Sequence, residues 1–337
     1  MSNAAANGDI EALGISVIRG LAMDGPHAAN SGHQGTAMAL APLAHVLFTR
    51  ILRYDASAPY WADRDRFILS PGHASILLYS MLHLTGYGLT LEDLKQFRQW
   101  GSLTPGHPER GLTAGVEVTT GPLGQGFANG LGMAMAEQSL RERFGTDVCD
   151  HHIHAIVSDG DLEEGVSHEA ASLAGHLRLG RMVYVYDDNH VSIDGPTEIA
   201  LTDDPVKRFE AYGWHVQDLG EASEDLDALE AAVRAGREEE ERPSIVVVRS
   251  HIGYPSPMHT DDPAAHGLAF SAEDISVTKE VMGIPDAPFW VPDEVLDYYR
   301  KAGAKGALAR EDWEQRSAAA LVGREAEWEA TQTARPI

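Results

Sequence analysis

Five short apolar runs constrain this chain most: residues 67–69, 153–157, 182–186, 214–216 and 245–248. Each is rich in β-branched or aromatic residues and stays largely apolar at consecutive positions. A strand with one wetted face alternates, whereas a strand apolar on both faces is covered on both. Helical stretches fall between the runs, at 126–144, 167–177, 206–212 and 226–236. Two more helices are predicted earlier, one from Ile10 with Leu13, Val17, Ile18 and Leu21 on one side, and one over 38–49. Strand–helix–strand alternation implies an α/β fold, a mostly parallel sheet with helices on both faces. Residues 1–9 are small and polar and are expected to be disordered. The main domain is placed at 10–288, and 289–337 is expected to be a mainly helical extension or linker.

Composition narrows the function. Asp and Glu number 51 against 26 Lys and Arg, a net charge of −25. That surplus argues against nucleic acid, whose binders need a basic face. The acidic stretch 221–241 is read as a solvated helix and its frayed end. A single cysteine, Cys149, excludes an intramolecular disulfide framework, argues against a cysteine-based structural zinc site, and fits a reducing cytoplasm. No apolar run reaches the length of a membrane span, and the first residues lack the features of a signal peptide.

Three groups of residues could carry chemistry. The run 153–157 leads into Ser158-Asp159-Gly160-Asp161, and the run 182–186 into Asp187-Asp188-Asn189-His190-Val191. Ligands of parallel sheets collect at the carboxyl ends of strands. Asp159 and Asn189, one strand–helix–strand unit apart, could meet there as a hard oxygen site for Mg²⁺ on a diphosphate. Asp and Asn are also common turn residues after strands. The second group is Thr119-Thr120-Gly121-Pro122-Leu123-Gly124-Gln125-Gly126. Its glycine spacing fits neither a dinucleotide fingerprint nor a Walker loop. It suits either close approach of a ligand to backbone or tight packing of a helix. Third, His33, His73 and His107 each follow glycine in a rigid loop, at spacings unsuited to a compact zinc motif. Neutral imidazoles beside hydroxyls or a moving proton suit them better. His151, His152 and His154 lack such frames and are read as structural or surface.

Together these stretches resemble the amino-terminal, diphosphate-binding half of a transketolase. The motifs fall in the family's order: Ser-Gly-His at 31–33, Trp-Ala-Asp-Arg-Asp-Arg-Phe at 61–67, Pro-Gly-His at 105–107 and Thr-Gly-Pro-Leu-Gly-Gln-Gly at 120–126. Asp-Gly at 159–160, Glu-Gly-Val-Ser-His-Glu at 164–169, Tyr-Asp-Asp-Asn at 186–189 and Ala-Tyr-Gly-Trp-His at 211–215 follow. The resemblance implies a thiamine diphosphate-binding fold and reversible transfer of a two-carbon ketol unit between sugar phosphates, as in the pentose phosphate pathway. It implies Mg²⁺ on Asp159, Asn189 and the carbonyl of Val191. His73, Gly160 and His266 would hold the diphosphate end, and Gly121, Pro122 and Leu123 the aminopyrimidine. His33 and His107 would bind the sugar, and Glu164 would join a carboxylate network between cofactor sites.

The sequence departs from the family at four places. Ser158 stands where the family has glycine, and as a small residue it is expected to fit the turn. Gln34 replaces a proline and is expected to loosen its loop. Pro263 takes the place of one histidine of a late Thr-His-Asp-Ser-His-Gly run, leaving His266 or His259 to substitute. The fourth departure is length, since transketolases continue into a pyrimidine-binding domain and a carboxyl-terminal domain. The resemblance therefore suggests one subunit of a split transketolase, working with a second chain in a dimer of heterodimers. A dihydroxyacetone synthase-like ketol transferase and a non-catalytic cofactor-binding subunit or fragment are the alternatives.

Overall fold

A computed structural model describes residues 2–193 and 195–333. Five strands form the main sheet: β1 (Arg66–Leu69), β2 (Ile153–Ser158), β3 (Met182–Asp188), β6 (His215–Asp218) and β7 (Ser244–Arg249). They lie in the order β1-β2-β3-β7-β6, and every pair is parallel. Ile68 stands beside Ala155, Ile156 beside Val185, and Val185 beside Val246. A short antiparallel hairpin, β4 (Val191–Ser192) with β5 (Gly195–Pro196), follows β3.

Consecutive apolar residues separate into two cores because successive side chains leave a strand on opposite faces. Phe67, Leu69, Ile156, Val183, Val185, Val246 and Val248 face one core, shared with the helices Ser2–Ala29, Ser75–Thr85 and Leu226–Glu238. Ile68, Ala155, Val157, Tyr184, Tyr186, Ile245 and Val247 face the other, under the helices Gln125–Phe144 and Gly165–Leu177. The α/β sheet with helices on both faces is therefore present, and all five predicted strands belong to it. Trp214 stays outside β6; its indole packs beside Phe209 and donates to the carbonyl of Ala171 at 2.8 Å.

Several segments differ from expectation. The first helix begins at Ser2, inside the stretch expected to be disordered, where Ala4, Ala5 and Ala6 are strong helix formers. The helix expected over 38–49 is broken into Gly35–Ala39, Ala41–Val46 and a π-helical turn, Leu47–Ile51. Pro42, lacking an N–H, sits where the chain restarts its helix. The segment after residue 288 is mainly helical, as expected, but packs on the domain rather than hanging as a linker. In the helix Asp293–Ala304, Val295 and Tyr299 are fully buried in the main core, and the Tyr299 hydroxyl lies 2.7 Å from Nδ1 of buried His45. Further on, Leu321 and Trp328 close a small cluster with Phe144 and Val148. Among the described residues, no helix is long and apolar enough to cross a membrane.

Candidate active site

Asp161 organises the carboxyl ends of β1 and β2. Ser158 and Asp161 form a capping box at the short helix Asp159–Glu163, with the Ser158 amide donating to Oδ2 at 2.9 Å. Oδ1 of Asp161 accepts from the Ser70 hydroxyl and the Gly124 amide, both at 2.7 Å. One buried carboxylate thus joins the turn after β1, the glycine loop and the turn after β2. Ser158 has extended backbone, φ −120°, which any residue adopts, so it fits the turn as expected. Glycine is needed elsewhere: a Cβ at Gly72 would lie 2.6 Å from Thr120 Oγ1 and 2.8 Å from the Gly121 nitrogen.

These turns frame a cleft of about 480 Å³. Its walls include His33, His73, His107, Gly121, Leu123, Asp159, Gly160, Asn189, Val191 and His266. The residues come from seven separate segments and converge only through the fold. Among the predicted site residues, Pro122 is exposed on the outer side of its loop, and Glu164 is exposed at the start of the helix Gly165–Leu177. Neither lines the cleft; Glu163 does, and its buried Oε1 has no hydrogen-bond partner among the described residues.

Three of the imidazoles form a cluster, with ring centres 5.1 Å apart for His33–His73, 4.8 Å for His73–His266 and 5.6 Å for His33–His266. Burial, reinforced by His266, Arg98 and His107, lowers the pKa of His33 to about 4. Burial, followed by the neighbouring imidazoles, holds His73 well below the ordinary value, and burial also lowers His107 and His266. The cluster is therefore neutral at physiological pH, able to donate and accept hydrogen bonds. His259 turns elsewhere, stacking on Phe270 with ring centres 4.5 Å apart. Of the two candidates near Pro263, His266 is the one in the cleft. Gln34 does not loosen its loop: it is fully buried, and its amide donates to the carbonyl of Leu268. The His107 loop is pinned by the Ser75 hydroxyl on the Gly106 carbonyl, 2.8 Å, and by Tyr79 on the His107 carbonyl, 3.2 Å.

At the opposite wall, Oδ1 of Asp159 lies 2.6 Å from the Tyr186 hydroxyl, and Oδ2 accepts from the Asn189 amide at 3.2 Å. Burial pushes its carboxyl up to about 7, against the Tyr186 hydrogen bond and with the nearby Asp187 and Asp188 adding to the rise. The Asn189 side chain donates to Asp187 at 2.9 Å, and its Oδ1 accepts from the Val191 amide at 2.9 Å. A buried carboxylate beside like charges, with an amide oxygen at hand, is the donor chemistry of a hard divalent cation. Above it, a Cβ at Gly160 would lie 2.8 Å from Leu123 Cδ1, so glycine there keeps backbone open to the cleft.

Residues 10–335 match the family described as "Transketolase, thiamine diphosphate binding domain". The chain belongs to the transketolase family. It is 48% identical over 314 residues to the transketolase of Nostoc sp., covering 92% of this chain and 47% of that protein. Against transketolase 1 of Saccharomyces cerevisiae the identity is 47%, over 90% of this chain and 45% of the relative. Among solved structures, the transketolase from Leishmania mexicana superposes with a TM-score of 0.91 at 40% identity, over 96% of this chain and 48% of that one. A transketolase from Pichia stipitis, in complex with sedoheptulose-7-phosphate, gives 0.90 at 42% identity, over 95% and 48%. The chain spans about half the length of the transketolases it matches.

Sequence reasoning missed Asp161, Glu163, Thr36, Ser158, Ser192 and the pair Ile193 and Ile199, all at or beside the cleft. Asp161 carried a signal, the Ser158-x-x-Asp161 spacing of a capping box. Ser192, Ile193 and Ile199, in and around the β4–β5 hairpin, carried none, since so short a hairpin has no periodicity.

Proposed function

We propose that this chain holds the diphosphate end of thiamine diphosphate and the Mg²⁺ bound to it, as half of a ketol-transferring site. The reading is carried by one observation: a single cleft gathers neutral His33, His73, His107 and His266 opposite buried Asp159 and Asn189. Asp159, the Asn189 amide oxygen and the Val191 carbonyl are the proposed metal ligands. His73 and His266 donate N–H to diphosphate oxygens, and Gly160 lets the backbone approach them. Gly121 and Leu123 face the aminopyrimidine, with Pro122 fixing their loop. Thiamine diphosphate, when bound, supplies the electron sink for carbon–carbon bond cleavage.

The remaining work falls to the protein. His33 and His107 bind the sugar hydroxyls, and His33, held neutral, accepts and returns a hydroxyl proton. Sugar phosphates are the proposed substrates, supported by the sedoheptulose-7-phosphate complex of the Pichia stipitis relative. Glu164, exposed beside Gly124, is placed to meet a carboxylate network across an assembly interface. The pyrimidine-binding domain is proposed to come from a second chain, in a dimer of heterodimers, in the cytoplasm.

The test is a pull-down from native extract with Mg²⁺ and thiamine diphosphate, followed by a ketol-transfer assay of the recovered complex. A stoichiometric partner with a pyrimidine-binding domain, and activity only in its presence, is the expected result. Full transferase activity of the purified chain alone would refute the two-chain reading. A partner-bound chain that neither binds the cofactor nor transfers ketol units would refute the cofactor reading.

A further inference from the structure

At the far end of the sheet from the cleft, where the chain enters β2, a second buried cluster plays no part in the proposed chemistry. Asp63, Cys149 and His151 are 1%, 2% and 5% exposed. Cys149 Sγ lies 3.7 Å from His151 Nδ1, which lies 3.3 Å from Asp63 Oδ1, and the three ligand atoms are within 4.8 Å of one another. Zinc binds sulfur at about 2.3 Å and nitrogen or oxygen at about 2.0–2.2 Å, so tetrahedral ligands lie roughly 3.3–3.6 Å apart. The sulfur–nitrogen and nitrogen–oxygen separations are close to the edges of such a polyhedron, and the sulfur–oxygen separation is within 4.8 Å.

Two buried carboxylates each meet an arginine through one oxygen. Arg53 binds Oδ2 of Asp63 at 2.9 Å, while Oδ1 accepts from the Asp150 amide at 2.6 Å and also faces His151. Arg141 binds Oε1 of Glu137 at 2.9 Å, while Oε2 is buried with no hydrogen-bond partner. Glu137 is 1% exposed, and its backbone carbonyl lies 3.8 Å from the Cys149 sulfur. Thiolate, imidazole and carboxylate together favour a borderline cation over Mg²⁺ or Ca²⁺.

Against the expectation from a single cysteine, we propose that Asp63, Cys149 and His151 form a three-ligand structural site for a divalent zinc ion. The site fastens the segment before β1 to the entry of β2. Binding converts the Cys149 thiol to thiolate and releases its proton to solvent, so apparent affinity rises with pH. His151 ligates through Nδ1 in its neutral form, with its remaining proton on Nε2.

The test uses the purified full chain, stripped of metal with a chelator and titrated with Co²⁺ and then Zn²⁺. The expected result is one equivalent of Co²⁺ giving a thiolate-to-cobalt charge-transfer band in the near ultraviolet, displaced by Zn²⁺. Cys149→Ser abolishes the band, and Asp63→Asn weakens zinc binding roughly tenfold or more. Each variant is first checked for a native circular dichroism spectrum. A cobalt complex without the band, a band that Cys149→Ser leaves in place, or unchanged zinc affinity in folded Asp63→Asn overturns the site.

Discussion

At Asp159 a buried carboxylate faces Asp187 and Asp188 with, among the described residues, only Tyr186 and a backbone amide as hydrogen-bond partners. Such a group gains most from a divalent cation, and removing it removes the anchor of the proposed metal. Asp159→Ala should therefore lower Mg²⁺-dependent thiamine diphosphate affinity by roughly 100-fold, measured by calorimetric titration. Tyr186→Phe, which deletes only the orienting hydroxyl, should cost about 10–100-fold in metal affinity. His33 gives a different signature. Burial lowers its pKa to about 4, so it stays neutral between pH 5 and 8 and contributes no acid limb in that range. In the assembled enzyme, His33→Asn should reduce kcat by about 10²–10⁴-fold without moving the acid limb of the pH profile. A limb near pH 6.5 that vanished in the variant would contradict this assignment. The histidines at the other end of β2 bear on stability. Burial lowers His154 to about 3, whereas its unfolded value is near 6.5. Between those values the unfolded chain binds more protons, so stability is full above pH 6.5 and falls as pH drops. His154→Gln should flatten the fall in Tm between pH 6.5 and 4 relative to wild type, read by thermal unfolding across that range.

The elements that position these residues were legible to different degrees. The five strands could be read because runs apolar on both faces have few other uses. The helix Ser75–Thr85 could not, since every one of its residues is buried and an evenly apolar helix has no amphipathic stripe. The cleft was half legible. Gly-His motifs and turns after strands marked its residues, but the proximity of His33 to His266 depends on packing across 233 positions, which no local pattern records. The glycine loop has a packing role that the sequence left open beside the ligand role, and the structure gives its helix a sharp test. A Cβ at Gly130 in Gln125–Phe144 would stand 1.9 Å from the hydroxyl of Tyr184 on β3, which donates to the Phe127 carbonyl at 2.9 Å. That hydroxyl has no room to retreat while keeping its bond. Gly130→Ala should cost about 1–3 kcal/mol through overpacking and lower Tm by several degrees. An unchanged Tm would mean that the helix can lift from the sheet freely.

At the scale of the whole molecule, the carboxyl-terminal segment separates what folds from what is attached. Residues 289–337 read as a mainly helical extension or linker because their charged, alanine-rich helices follow a change of texture at Pro288. Packing overrides that reading unevenly. Asp24 ties the segment in, accepting from Lys279 at 2.8 Å and from the Phe289 amide at 2.6 Å. Val295 and Tyr299 then fill the core against the first helix, where a Cβ at Gly14 would lie 2.8 Å from the Tyr299 hydroxyl. Each such side chain is worth about 1.5–3 kcal/mol of burial, and loss of Tyr299 also strands His45 Nδ1. A domain whose total stability is about 5–15 kcal/mol cannot lose that set and stay folded. The last helix, Glu325–Gln332, has no buried residue, and its ties are the Trp328–Phe144 contact and half-exposed ion pairs such as Arg143–Glu327. Exposed pairs of that kind contribute about 0–1 kcal/mol each. A chain cut after residue 288 should therefore fail to show a cooperative thermal transition. A chain cut after residue 322, which keeps Leu321 in place, should melt cooperatively within a few degrees of the full chain. Circular dichroism melts of the two truncations decide the matter. A cooperative transition from residues 1–288 would return the segment to the status of a linker, and collapse of the longer truncation would extend the core to the last helix.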